Sequence, residues 1–269
     1  EALRAKTKPF DVTPEAQLVQ RPEIYASGDR FLLIYWDTRG EPGVYARYLD
    51  KDGRIDSSAT KIAMAAGGAA SPTVSLMPDQ KMLFTWTEPT DKNTEDFYAR
   101  IFSPSFEPAG DKVRLTAFKP SPVGRARVRF PVGAIDGDSL RLAYRMERDP
   151  DRVVQHIRVP FTALTEGGVK SDGMTSNTPD RIAGALEVVS PAKMRADNPS
   201  MSCSPNDCFI VWHEENRDGV WAAPVPIGTP VPLYKREVVN NLGRNPTVAV
   251  DSKAQFQVCL LYTSPSPRD

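Results

Sequence analysis

Four carboxylates stand just after apolar runs of the sequence, where they could act as acid and base on a glycosidic bond. Asp37, Glu88, Glu214 and Glu215 each follow a tryptophan by one to three residues. A glycosidase places two carboxyl groups about 5 to 9.5 Å apart across the bond that it cleaves. A residue type that recurs in successive repeats can instead have a structural task, such as accepting hydrogen bonds from turn amides. The sequence therefore supports two interpretations of Asp37, Glu88 and Glu214, ligand binding and a structural role.

Three arginines alternate ahead of a long apolar segment. Arg125, Arg127 and Arg129 would share one face of an extended strand, because side chains alternate along a strand. Guanidinium groups can bind the carboxylate or sulfate groups of sugars through paired hydrogen bonds. Further arginines and carboxylates are interleaved after them, so an ion-paired, solvated face is the alternative. Arg145 interrupts the series of carboxylates that follow the aromatics.

Two cysteines flank a short turn. Cys203 and Cys208 enclose the tetrapeptide Ser-Pro-Asn-Asp, and facing positions of a tight hairpin come within disulfide reach. We predict a Cys203–Cys208 disulfide, with two reduced thiols as the alternative. A disulfide implies an oxidising compartment, the periplasm or the cell exterior. A structural zinc site uses four ligands and the chain has only two histidines, so we predict no metal and no cofactor.

The elements that carry these side chains follow from a repeat. In each copy a proline opens a short apolar strand, and an aromatic ends a second strand 13 or 14 residues later. Successive aromatics are 50, 58 and 68 residues apart, which is typical of propeller blades rather than of helical solenoids. A fifth copy starts at Pro246 and is cut short. The complete pairs are Pro22 with Trp36, Pro72 with Trp86, Pro131 with Tyr144, and Pro199 with Trp212.

The second strand of a copy is apolar on both faces, as in residues 31–36, and such a strand is buried on both sides. Polar turns separate the apolar runs, so each copy is predicted to form a four-stranded antiparallel meander. The sequence predicts an all-β fold, a partial β-propeller of about four blades plus the start of a fifth. Residues 1–20 are predicted to be the end of a preceding blade and a linker. The predicted blades are residues 21–70, 71–126, 127–197, 198–244 and, truncated, 245–258.

Three segments of the first copy resemble a repeat of secreted bacterial β-propellers: Trp36-Asp37-Thr38-Arg39, Val44-Tyr45-Ala46-Arg47 and Asp50-Lys51-Asp52-Gly53. The resemblance extends over about residues 8–258 and is weakest in the third copy. At blade level the chain is similar to sialidase-like propellers, but their Ser-x-Asp-x-Gly-x-Thr-Trp box is absent. The resemblance implies a propeller fold and export rather than a particular reaction.

The two ends of the sequence call for separate interpretations. Residues 259–269, CLLYTSPSPRD, resemble the translation of a transposase-type sequencing adapter, so we predict a non-native tail there. At the other end, residues 8–12 are predicted to be the last strand of a preceding blade. The chain is therefore interpreted as a fragment.

Composition limits the partners. The formal net charge is zero, which gives no general attraction to nucleic acid, and no apolar stretch is long enough for a membrane helix. The leading interpretation is a non-catalytic exported scaffold that binds a glycan or a protein through its loop face. The alternative is a carbohydrate-active hydrolase that uses Asp37, Glu88, Glu214 and the nearby arginines. The long segment 160–197 is either a binding insertion or a disordered excursion.

Overall fold

A computed structural model gives the architecture of the chain. It describes residues 10–39, 41–64, 71–90, 93–121, 124–148, 150–170, 172, 174–175, 177, 179–190, 195–204, 208–215, 219–225, 243–251, 253 and 255–262. The chain divides into two compact units, Glu1–Ala70 and Ser71–Asp269.

The first unit contains one antiparallel sheet of four strands in sequential order. The strand β2 is paired on both sides and buried along most of its length. Leu32 and Ile34 are fully buried on one of its faces, and Leu33 and Tyr35 are buried on the other. The strands are β1 (Val19–Ser27), β2 (Arg30–Asp37), β3 (Gly43–Leu49) and β4 (Thr60–Ala63).

The second unit begins with a sheet of the same order, and a second complete sheet follows it. The strands of the first are β5 (Thr73–Leu76), β6 (Met82–Pro89), β7 (Glu95–Phe102) and β8 (Val113–Arg114), with the short β9 (Thr116–Ala117) after them. The next sheet contains β10 (Ala126–Asp136), β11 (Ser139–Arg148), β12 (Asp151–Pro160) and, after helix α1 (Phe161–Thr165) and strand β13 (Arg181–Ile182), β14 (Ala185–Val188).

Two smaller sheets complete the described part of the second unit. Three strands pair in the order β15 (Ala196–Cys203), β16 (Cys208–Glu214) and β17 (Gly219–Val225), and a final hairpin pairs β18 (Gly243–Val250) with β19 (Phe256–Tyr262). The first strands of successive sheets lie side by side, since β10 contacts β5 and β15, and β15 contacts β18. The predicted fold class, an all-β propeller of antiparallel blades, is confirmed.

The repeated aromatics occupy the second strand of each sheet, as predicted. Trp86, Tyr144 and Trp212 are almost completely buried, whereas Trp36 is half-buried. Tyr144 replaces tryptophan in the third sheet, and its ring meets Phe97 edge-on at a centroid distance of 4.8 Å. The phenol of Tyr144 donates a 3.0 Å hydrogen bond to Gln155. A smaller aromatic is therefore accommodated by a ring from the preceding sheet and by a polar partner on the next strand.

The sequence predicted that each repeated proline opens its strand, and this prediction is wrong except at Pro72, which directly precedes β5. In the other copies the proline lies inside the first strand, at a break in the pairing register. The residue before it has a positive φ: 49° at Arg21, 54° at Phe130, 46° at Asn198 and 53° at Asn245. Proline cannot donate to a ladder, so it is tolerated where a bulge already interrupts the pairing.

The segment 160–197 is tied to the sheets by its described residues. Strand β13 pairs with β9, and β14 extends the third sheet by pairing with β12. Asp180 accepts a 2.8 Å hydrogen bond from the backbone of Lys119 and a 2.6 Å bond from Arg148. Partly buried Phe161, Leu164 and others pack on the core beneath. The prediction of a disordered excursion is wrong for these residues, because their apolar side chains have a surface to cover.

The predicted disulfide is present, and it joins Cys203 to Cys208. The two residues face each other in the register of β15 and β16, so the bond closes this hairpin. At the chain ends, residues 10–12 are not in a strand, and β19 reaches Tyr262 within the predicted tail. Residues 1–9 and 263–269 lie outside the described part. The native or foreign origin of 259–269 stays a prediction, as do the predicted blade boundaries.

We expect Gly184→Ala to destabilise the protein. Gly184 lies between β13 and β14, and an added Cβ would be 1.9 Å from the carbonyl oxygen of Arg158. Forcing atoms into so close a contact should lower the free energy of unfolding by about 1–3 kcal/mol. Gly110→Ala is the matched control, since no heavy atom lies within 4 Å of its added carbon. Urea denaturation measures the free energy of unfolding of both variants. A Gly184→Ala variant as stable as the wild type would contradict the close contact between Gly184 and the Arg158 carbonyl.

A second expectation concerns pH. Burial lowers the pKa of His156 from 6.5 to about 4, and Arg141 and Arg158 lower it in the same direction. The folded protein keeps the ring neutral while the unfolded chain takes up a proton, so stability falls as the pH decreases from 6.5 towards 4. The complete loss amounts to about 3 kcal/mol. His156→Leu should remove this part of the pH dependence in urea denaturation. A variant with the wild-type profile would contradict the prediction.

Candidate functional site

Charged residues of three sheets meet at one end of the second unit, where β10 and β15 begin and β11 ends. The central group is Arg145, which is 8% exposed. Its Nη1 donates to Asp197 at the start of β15, and its Nη2 donates to Glu147 on its own strand. The guanidinium carbon also lies 4.5 Å from the ring centre of Phe130. One guanidinium thus holds two carboxylates, from the third and the fourth sheet, close together.

A second ion pair connects this group to the preceding sheet. Arg129 faces Arg145 in the register of β10 and β11, and it binds Glu95 at the start of β7 with both terminal nitrogens, at 3.2 Å for Nη2–Oε1. Glu95 is 9% exposed. Charges of opposite sign therefore alternate across the second, third and fourth sheets. We call Glu95, Arg129, Arg145, Glu147 and Asp197 the rim cluster.

Further ion pairs flank the rim cluster. Arg152 and Arg195 both approach Glu215, at 3.2 and 3.3 Å, and Arg148 binds Asp180 at 2.6 Å. The side chains of Arg148, Arg152, Arg195 and Glu215 are 23–45% exposed, so they lie nearer to solvent than Arg145, whose side chain is 10% exposed. The interleaved charges of the third repeat are ion-paired, as one interpretation of the sequence held, but the central pairs are largely buried rather than solvated.

Asp37 lies in the first unit, and its carboxylate organises the chain that precedes β1. It accepts 3.0 Å hydrogen bonds from the backbone NH groups of Gln17, Leu18 and Arg39. Burial of Asp37 acts to raise its pKa, but these backbone donors outweigh that effect, so the pKa lies below 3.8. Asp37 also borders a cavity of about 280 Å³. These contacts give Asp37 a structural role in its own sheet.

Two other carboxylates line the same cavity of the first unit. Glu15 binds Arg47 at 2.8 Å and accepts a 2.7 Å hydrogen bond from the phenol of Tyr35, and Glu41 binds Lys61 at 2.7 Å. Each of these carboxylates therefore has a cation of its own. Among the residues that the structure describes, no cluster of three or more His, Cys, Asp or Glu side chains could hold a metal ion.

The predicted Glu88 and Glu214 lie in the second unit, in different sheets. Glu88 accepts a 2.7 Å hydrogen bond from the indole of Trp86 and binds Lys112 at 3.0 Å. Glu214 is fully buried and accepts a 2.7 Å bond from the backbone NH of Arg195. A ligand-binding role for these two residues and Asp37 stays a prediction, and their contacts match the structural interpretation.

The three predicted arginines have different surroundings. Arg129 belongs to the rim cluster, and Arg127 lies on the same strand two residues earlier, at a half-buried position. Arg125 precedes the strand and is exposed. Within the described part of the chain, the side chains of Arg125 and Arg127 have no hydrogen bond or ion pair. Only Arg127 and Arg129 thus share a strand face as predicted.

Sequence reasoning missed the centre of the cluster. From the sequence, Arg145 is only an interruption of the carboxylate series, and nothing assigns a role to Asp197. The signal that was present is positional: Asp197 lies two residues before Pro199, as Arg129 lies two before Pro131. Both residues therefore come just ahead of the bulge of a first strand, at the same end of neighbouring sheets.

Comparisons with known proteins identify the fold. No protein-family profile and no curated protein matches the sequence, and no helix among the described residues is long and apolar enough to span a membrane. An ulvan lyase, solved with a glucuronate and sulfated rhamnose ligand, is similar in structure with a TM-score of 0.60 at 10% identity, over 97% of this chain and 66% of the lyase.

Two further solved structures show the range of similar proteins. The subtype N10 neuraminidase-like protein of a little yellow-shouldered bat isolate from Guatemala has a TM-score of 0.51 at 9% identity, over 91% of this chain and 59% of its own. An α-L-arabinofuranosidase from Lactobacillus brevis has a TM-score of 0.49 at 11% identity, over 93% of this chain and 85% of the arabinofuranosidase. At identities of 9–10%, the similarity to the ulvan lyase and the neuraminidase-like protein shows the fold alone.

Substitution of Arg145 measures how much its ion pair with Asp197, which joins the third and fourth sheets, stabilises the protein. We expect Arg145→Met to lower the free energy of unfolding by about 3 kcal/mol, because it leaves two partly buried carboxylates without their cation. Adding Asp197→Asn should recover part of this loss, with a coupling of about 1 kcal/mol in a double-mutant cycle.

The exposed pair Lys81–Asp79, at 2.7 Å with side chains 45% and 50% exposed, is the matched control for that cycle. Its coupling should be close to zero, since exposed ion pairs contribute little. Additive effects of the Arg145 and Asp197 substitutions would contradict a stabilising interaction between these two residues.

Proposed function

We propose that this protein is a carbohydrate-active propeller that binds a polysaccharide at the rim cluster and cleaves it there, with Glu147 and Asp197 as the reacting carboxylates. The observation that carries the proposal is the shared contact with Arg145, whose two terminal nitrogens each bind one of these groups. Their side chains are 19% and 15% exposed. They are therefore accessible at the surface while held in place by one cation.

The arrangement suits acid and nucleophile chemistry. Retaining glycosidases hold their two carboxyl groups about 5 Å apart, and oxygens bound by the two terminal nitrogens of one guanidinium are necessarily close neighbours. One carboxyl would protonate the leaving oxygen, and the other would attack the sugar carbon or activate water. A bound sugar that displaces either carboxylate from Arg145 would bring that group into contact with the glycosidic bond.

The comparisons support a carbohydrate as the ligand. The ulvan lyase and the neuraminidase-like protein share the fold at TM-scores of 0.60 and 0.51, and both names come from carbohydrate chemistry. Such similarity favours the hydrolase alternative over a non-catalytic scaffold. The proposal differs from the sequence-based prediction in its residues, since Glu214 is fully buried and Asp37 holds backbone amides of the first unit.

A non-catalytic glycan-binding scaffold is the second candidate. It is favoured by the fact that all three carboxylates of the rim cluster already have an arginine partner. Such a protein would bind the same ligand without cleaving it. In either case the Cys203–Cys208 disulfide supports export to the periplasm or the cell exterior, because disulfides persist in oxidising compartments.

A panel of polysaccharides tests the proposal. We expect release of new reducing ends, with or without an unsaturated uronate product that separates lyase from hydrolase chemistry. Asp197→Asn and Glu147→Gln should each lower the rate about 100-fold or more, since a catalytic acid or base contributes that much. The matched control Glu107→Gln, at an exposed turn, should leave it unchanged. Binding of a glycan without cleavage would favour the scaffold instead.

A further inference from the structure

Arg127 stands beside the rim cluster without an acidic partner in the described part of the chain. It faces Glu147 across the register of β10 and β11, but that carboxylate is bound by Arg145. Two residues further along β10, Arg129 has Glu95. Each arginine of the surrounding group has a carboxylate: Arg129, Arg145, Arg148, Arg152 and Arg195.

A half-buried guanidinium without a counter-charge has lost part of its hydration, so it gains from an anionic partner. The surroundings of Arg127 suit a sugar that carries such a group. Residues on one strand face two positions apart are about 7 Å from each other, so Arg127 lies next to Arg129 and the Arg145–Glu147 pair. The ring of Phe130, three residues along the same strand, adds an apolar surface near Arg145.

We infer that Arg127 determines the substrate class: the polysaccharide carries carboxylate or sulfate groups, and Arg127 binds one of them. This inference rests on the proposed function, because it assigns the substrate of the same site. A planar carboxylate and a tetrahedral sulfate can each offer two acceptor oxygens to one guanidinium. Arg125 is exposed ahead of the strand and can add a long-range attraction, but it is not held against the cluster.

Binding to three probes tests the inference: polygalacturonate for carboxylate, dextran sulfate for sulfate, and dextran as the neutral chain. The chain of 269 residues should bind at least one anionic probe and bind dextran more weakly. Arg127→Gln should weaken that binding about tenfold or more, since a charge-assisted bidentate contact is lost. It should also reduce the dependence of affinity on salt concentration. Arg127→Lys should retain part of the affinity.

Arg54→Gln is the matched control, at an exposed arginine in the turn after β3. Its binding should equal that of the wild type, and unfolding midpoints should show that all variants are folded. An equal loss in Arg54→Gln, no loss in Arg127→Gln, or equally tight binding of dextran would each overturn the inference. The anionic probe that binds more tightly identifies carboxylate or sulfate as the recognised group.

The inference and the proposed function fail in different ways. Cleavage of a neutral glycan that depends on Asp197 but not on Arg127 would uphold the proposed function and overturn the inference. Arg127-dependent binding of an anionic probe, with no cleavage of any polysaccharide, would uphold the inference and overturn the catalytic proposal.

Discussion

Burial of the second strand on both faces is the constraint on which the rest of the structure depends. In β11 the first eight residues are all buried, and they include Arg141 and Arg145 as well as Leu140 and Leu142. A strand of this kind cannot remain at a surface, so each sheet needs a neighbour on either side. Stacked sheets satisfy that need. Charged side chains are then found mainly at the ends of the strands, where solvent or an ion-pair partner is available.

The rim cluster follows from this constraint. Charged side chains that enter a closely packed layer must be paired, because an isolated buried charge is very costly. Arg145 meets the requirement with carboxylates from two sheets, and Asp96, fully buried in the second sheet, meets it with Arg114 and the backbone NH of Phe118. The buried Asp96–Arg114 ion pair stabilises the second sheet. The Arg145 ion pairs are reached by solvent, and they form a candidate site.

The sequence was sufficient for what depends on local periodicity. The positions of Trp86, Tyr144 and Trp212 on second strands followed from alternation and spacing, and the facing cysteines followed from the length of one turn. The Arg145–Asp197 ion pair could not be predicted from the sequence, because it joins residues of two sheets whose relative position is set by packing. The bulges were missed for a related reason: the proline was visible, but the positive φ of the residue before it is a property of the folded strand.

The bulge residue gives the fold a position at which chemistry can vary while the backbone does not. Four sheets carry Arg21, Phe130, Asn198 and Asn245 at this point, a cation, an aromatic ring and two amides. The cost of the left-handed conformation depends on the side chain, and it is lower for asparagine than for arginine or phenylalanine. Asn198 and Asn245 touch each other across neighbouring sheets. The same bulged backbone therefore occurs with a cation, an aromatic ring or an amide at its left-handed position, so this fold does not need a glycine there.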